Sequence, residues 1–173
     1  MTIDVLALSM LAMSAFDAGN MRPVDEQHFL IHGKIIEINP VVMDEDQADD
    51  TQVIVYQDGE IYVAFNTNDE GEYLFNLPIG HNYEVVYGGE AYVNKKVTID
   101  AKELPQKRKG YDVKLDMGVF QEYSDVDYSF LNDPVAQIFY DDDYGDLAFD
   151  EQYSMKQGKA MMKCFKEIAK KHK

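Results

Sequence analysis

From His28 to Met117 apolar and polar residues alternate in short runs separated by turn signals. Residues 28–38, HFLIHGKIIEI, predict a strand with Gly33 at its middle, a place for a bulge or a close backbone approach. In 51–57, TQVIVYQ, Val53 and Val55 share one face, and Ile54 and Tyr56 the other. Asp58 to Glu60 reads as a hairpin turn, and 61–67 as the returning strand. Asn68 to Gly71 supplies the next turn, with Gly71 suited to positive φ. Tyr73, Phe75 and Leu77 then alternate inward, Pro78 to Gly80 breaks the strand, and 82–87 starts another. Residues 91–100 predict a further strand with polar Asn94 to Lys96 as a bulge or edge feature. A connector at 102–110 leads to 111–117, with Val113, Leu115 and Met117 inward. Seven short strands at this spacing predict an all-β sandwich, and no helical period interrupts them, which disfavours a doubly wound α/β fold.

Beyond residue 118 the pattern changes. An acidic, tyrosine-rich stretch holds one more candidate strand, 135–141, after Pro134. The end, from Ser154, is helical: Met161, Cys164, Phe165 and Ile168 fall at i, i+3, i+4 and i+7 and form one apolar stripe. The predicted organisation is a sandwich at 28–118 and an acidic segment at 119–173 with a strand and a basic C-terminal helix. At the start, Val5 to Phe16 is an apolar run of signal-peptide length, so 1–18 is expected to be a signal-peptide remnant. Its lack of a basic n-region, where Asp4 stands instead, fits a start codon assigned too far downstream; an intact element packed on the domain is the alternative. The run is too short to span a bilayer.

The residues at 31–35 (IHGKI), 51–56 (TQVIVY), 67–85 (TNDEGEYLFNLPIGHNYEV) and 95–100 (KKVTID) resemble the carboxypeptidase regulatory-like domains and their transthyretin-like and collagen-adhesin B-type relatives. Thr67, Gly71, Tyr73, Phe75, Leu77, Pro78, Gly80 and Tyr83 match that family's pattern, with one extra residue before Tyr83. The resemblance implies a mainly β, seven-stranded, transthyretin-like (prealbumin-like) sandwich, to which the tail adds the C-terminal amphipathic helix. It also implies a spacer or interaction role in the bacterial envelope. Several relatives carry a Lys–Asn isopeptide bond; no such triple aligns here. QIFYDDDYGDLAFDEQ followed by a helix is similar to the opening of peptidoglycan-binding domains of outer-membrane protein A type, whose binding Asp and Arg would fall beyond residue 173.

Charge sharpens the picture. The 173 residues are 46% hydrophobic, enough for a real core, and carry a formal charge of −16. Residues 1–155 balance to −22 and residues 156–173 to +6. The body should repel nucleic acid, while the tail can lie on the acidic body, dock on a partner or meet an anionic surface. The one cysteine, Cys164, allows no intramolecular disulfide and reads as a small buried apolar residue.

Two acidic clusters are candidate Ca²⁺ sites: Asp44, Glu45, Asp46, Asp49 and Asp50, and the group Asp141, Asp143, Asp146 and Asp150. Neither fits an EF-hand loop, and solvated acidic loops are the plainer reading. The four histidines, 28, 32, 81 and 172, are scattered and read as surface or half-buried strand residues. No G-x-S-x-G, P-loop, G-x-G-x-x-G, C-x-x-C or H-E-x-x-H motif occurs. The expected function is therefore a non-enzymatic, exported envelope protein: an interaction or structural module without a cofactor. A small carbohydrate- or Ca²⁺-binding accessory protein is the alternative, with a hydrolase or a truncated peptidoglycan-associated module behind it. Its expected partner is an envelope protein or surface glycan, met through Met161, Phe165 and Ile168 or through an edge strand and a tyrosine-bearing face. Its expected location is periplasmic, outer-membrane-associated or secreted.

Overall fold

The computed structural model describes residues 27–48, 50–90 and 92–173. The run at 1–18 lies outside them. Among the described residues eleven strands form two sheets, with a short 3₁₀ turn at Ser129–Asn132 and a long C-terminal α-helix. The first sheet is organised around β1 (His28–Asn39), which is long enough to serve two sets of neighbours. Its first half pairs antiparallel with β5 (Glu72–Pro78) and parallel with β8 (Tyr111–Lys114). Its second half pairs antiparallel with β2 (Asp44–Gln47) and parallel with β9 (Met117–Val119). The second sheet runs β11 (Asp146–Phe149), β10 (Ala136–Asp141), β7 (Lys95–Asp100), β6 (Asn82–Gly88), β3 (Gln52–Gln57), β4 (Glu60–Asn66).

The changeover along β1 depends on Gly33. A Cβ there would collide with the Leu115 carbonyl, where the chain steps from β8 to β9. Leu115 N–H donates to His32 O at 2.9 Å, and Lys34 N–H donates to the Asp116 carboxylate at 3.0 Å, so the step is pinned on both sides of the glycine. The expected single strand at 111–117 is thus two. Gly71 takes φ +74° beside the Ile35 carbonyl, which a side chain would strike. The β3–β4 turn places Asp58 at φ 50° and Gly59 at φ 91°, the doubly positive combination of a tight hairpin.

The sheets face each other across alternating side chains. Phe29, Ile31, Tyr73, Phe75, Leu77, Val113 and Leu115 meet Val53, Val55, Tyr83, Val85, Tyr87, Val97 and Ile99, all buried. Inside this core the Tyr73 and Tyr87 hydroxyls lie 3.1 Å apart, and Tyr73 donates to Leu115 O. The helix α1 (Glu151–Lys171) seats Cys164, Phe165 and Ile168 against Val93, Phe120 and Leu131, forming a second, smaller core. Phe165 meets Phe120 edge to face at 5.0 Å between ring centres. Among the described residues no helix is long and apolar enough to cross a membrane. The mainly β architecture with a C-terminal helix agrees with the sequence; the strand number does not. β2 and β11 are the additions within 28–173: four-residue segments, DEDQ and DLAF, too short to show an alternation of their own and made strands by their neighbours.

Candidate functional site

The outer face of the second sheet carries a broad, open depression at the β3–β4 turn end. Its floor is a cross-strand row. Tyr56 pairs with Glu84, Glu84 with Thr98, and Thr98 with Gln137, so four side chains from β3, β6, β7 and β10 stand side by side. Strand alternation explains why all four point away from the core: their neighbours Val55, Val85, Val97, Ile99 and Ile138 point in. Phe139 stands at the β10 side, exposed over 39% of its surface, and Asp58, Asp100 and Lys102 close the turn end. Glu84 is held by Lys96 at 3.2 Å.

Asp58 is the most constrained polar group there. One of its oxygens lies 2.6 Å from His81 Nδ1, and the other accepts the Asn82 N–H at 3.0 Å. Its own N–H donates to Asn82 O at 2.9 Å. The His81 bond, and then the Asn82 N–H, hold the Asp58 carboxyl below the usual carboxylate range. His81 sits edge-on to Tyr83 at 6.2 Å. Tyr83 in turn donates to Pro78 O at 2.6 Å, and burial raises the pKa of its hydroxyl. The result is a histidine–carboxylate dyad, fixed by backbone and ring contacts, in which Asp58 lines a concave surface with aromatic and polar walls and His81 holds Asp58 from outside that lining.

The sequence does not announce this dyad. Asp58 reads as a turn residue and His81 as one of four scattered histidines, and they stand 23 positions apart. Only the antiparallel pairing of β3 with β6 brings the β3–β4 turn against the start of β6.

Several of the carboxylates singled out as Ca²⁺ ligands are occupied locally. Asp141 accepts N–H bonds from Asp143 and Tyr144 across the β10–β11 turn, at 2.8 and 3.2 Å. Asp146 is paired with Lys107. Asp150 caps α1 by accepting the Tyr153 N–H at 2.8 Å. In the first cluster, Asp44 to Asp46 belong to β2, and Asp50 accepts from the Asn66 amide. Asp49 lies outside the described residues, and among those described no three His, Cys, Asp or Glu side chains are grouped to hold a metal ion. Of the residues named for partner binding, Phe165 and Ile168 are buried in the second core and Met161 is half-buried at its edge.

No family model and no curated protein matches the chain. Solved structures do. 3-Chlorocatechol 1,2-dioxygenase from Rhodococcus opacus 1CP matches at 10% identity and a TM-score of 0.40, over 59% of this chain and 63% of that one. Catechol 1,2-dioxygenase from Acinetobacter sp. ADP1 matches at 8% and 0.40, over 66% and 59%. Hydroxyquinol 1,2-dioxygenase from Pseudomonas putida DLL-E4 matches at 9% and 0.37, over 68% and 73%. The chain spans about three-fifths of the length of the first two.

These matches correct several expectations. None of the three is a carboxypeptidase regulatory-like or transthyretin-like domain, and no family model supports that resemblance or the peptidoglycan-binding one. The matched structures lend no support to the non-enzymatic envelope module or to its carbohydrate- or Ca²⁺-binding alternative, and neither reading is carried further. Nor do they support the expectation of a protein that works without a cofactor. A likeness of this extent concerns chain path alone and says nothing of substrate or chemistry.

Proposed function

We propose that the depression at Asp58 is the acid–base site of an enzyme acting on a small molecule. Asp58, which lines the depression, is the group that exchanges a proton, and His81 is a positioning residue that orients it. The carrying observation is the 2.6 Å contact between His81 Nδ1 and an Asp58 carboxylate that a backbone N–H also fixes. The Asp58 carboxylate faces the depression, so it is the member of the dyad within reach of a ligand there. The lining defines that ligand. Tyr56 and Phe139 supply flat apolar walls, and Asp58, Glu84 and Asp100 supply acceptors. Thr98 and Gln137 supply groups that both donate and accept. A small ring bearing hydroxyl groups satisfies all three kinds of contact.

The test is an amide-resonance titration of the ¹⁵N-labelled protein with catechol and with hydroxyquinol, the compounds in two of the matched enzymes' names. The expected outcome is shifts confined to Asn82, Thr98, Gln137 and their neighbours. Asp58→Asn should weaken binding about tenfold, equivalent to ~1.4 kcal/mol. Asparagine tolerates the left-handed backbone of this turn, so the hairpin survives the change. Shifts centred elsewhere, or an Asp58→Asn protein that binds as before, would overturn the proposal.

A further inference from the structure

The lysines of α1 are arranged more narrowly than a solvated helix requires. With the apolar stripe turned into the second core, Lys156, Lys159, Lys163, Lys166 and Lys170 all fall on the outward side and all are exposed. Helical spacing sets the five within roughly a quarter of the circumference. Among the described residues none of them is in an ion pair, although the chain as a whole is strongly acidic. The sixth helix lysine, Lys171, is the exception, held by Glu167 and Asp125. Beside the lysine row runs a shallow apolar groove. Met155 and Met162 are exposed over 60% and 45% of their surfaces, and Gly158 lies between them with open space where a side chain would stand.

We infer that this face of α1, Met155, Gly158 and Met162 edged by Lys159, Lys163 and Lys166, docks an acidic amphipathic segment of another protein. The unpaired lysine row asks for carboxylates at matching spacing. The groove takes one or two aliphatic side chains, and methionine adapts to irregular apolar partners. A bilayer surface is the weaker fit. A membrane-bound helix buries a wide apolar face, and here that face is already used on Phe120 and Leu131. A bilayer would also bring a broad anionic plane towards an acidic body, whereas a peptide meets only the groove and its lysines within a Debye length. The inference stands apart from the Asp58 site and does not depend on it.

The experiment is fluorescence polarisation of a labelled peptide of repeated Glu-Leu-Glu-Ala units against the whole protein. Vesicles with about 30% phosphatidylserine in phosphatidylcholine provide the second arm. Saturable peptide binding is expected, weakening about tenfold between about 50 and about 300 mM NaCl. The triple variant Lys159→Glu, Lys163→Glu, Lys166→Glu should lose a further tenfold or so, and Met162→Ser about threefold. Lys109→Glu, on a loop of the sandwich, should change nothing. The three helix lysines are exposed and unpaired, so an unchanged thermal melt is expected to confirm that the triple variant is folded. Absence of peptide binding, equal binding by the triple variant, or vesicle binding in preference to the peptide would each overturn the inference.

Discussion

The Lys95 ammonium is buried between the two cores, with Gly118 O as its acceptor and the Phe120 ring 4.9 Å away. Burial pushes its pKa down to about 8 from an ordinary 10.5. Between those two values the folded protein holds fewer protons on this group than the unfolded chain, so stability rises with pH across that window. Below about pH 8 the charge is buried at a cost. Lys95→Met should therefore stabilise the protein at pH 7 by roughly 1–3 kcal/mol and flatten its urea midpoint between pH 8 and 10. A midpoint for the natural protein that does not move over that range would contradict this. The buried tyrosines act in the opposite direction. Burial holds the Tyr73 and Tyr87 hydroxyls protonated well above pH 10, so stability falls once the unfolded chain's tyrosines ionise. Gly33→Ala should cost on the order of 2–3 kcal/mol, because the added methyl strikes a backbone carbonyl that cannot swing aside. Chemical denaturation of that variant measures the cost directly.

At the scale of elements, legibility followed burial. β3, β5 and β6 each present alternate residues to the core, and that period of two is visible in the chain itself. β2 is DEDQ with every residue exposed; nothing but its pairing with the second half of β1 makes it a strand, and no local signal marks it. The division of 111–117 into β8 and β9 arises from the crowding at Gly33, a contact about 80 residues away in sequence. Gly33 itself was legible as a point of close approach, but what approaches it was not. The dyad was hidden for the same reason, since it is assembled by strand pairing rather than by spacing. The helix was legible through its stripe, and its start, three residues before Ser154, is set by the Asp150 cap. Asp150→Ala should cost about 1 kcal/mol. Phe165→Ala empties the centre of the smaller core and should cost about 3–5 kcal/mol. Thermal melts rank the two, and a Phe165 variant no worse than the cap variant would mean that the helix packs more loosely than its burial implies.

For the molecule as a whole, charge is the dominant burden. A formal −16 over 173 residues leaves the acidic body under self-repulsion, relieved where Lys107 meets Asp146 and where Lys171 and His172 meet Asp125. Those pairs are partly exposed and individually weak. Moderate salt should screen the repulsion more than it weakens the pairs, so the melting temperature should rise on going from about 10 to about 200 mM NaCl. A fall would mean that the ion pairs outweigh the repulsion.

The double service of β1 also bears on how the chain reaches this state. One strand, near the start of the described chain, is the axis of its entire sheet, and its parallel neighbours arrive late: Lys34 closes on Asp116 across 82 residues. Until residues 111–119 have left the ribosome, β1 can pair on one side only, with β5 and β2. Parallel pairings of such long loops are slow to close, so folding should take milliseconds to seconds rather than microseconds. During that interval an apolar strand with one open edge is exposed to other nascent chains, and synthesis is when this protein is most prone to aggregate.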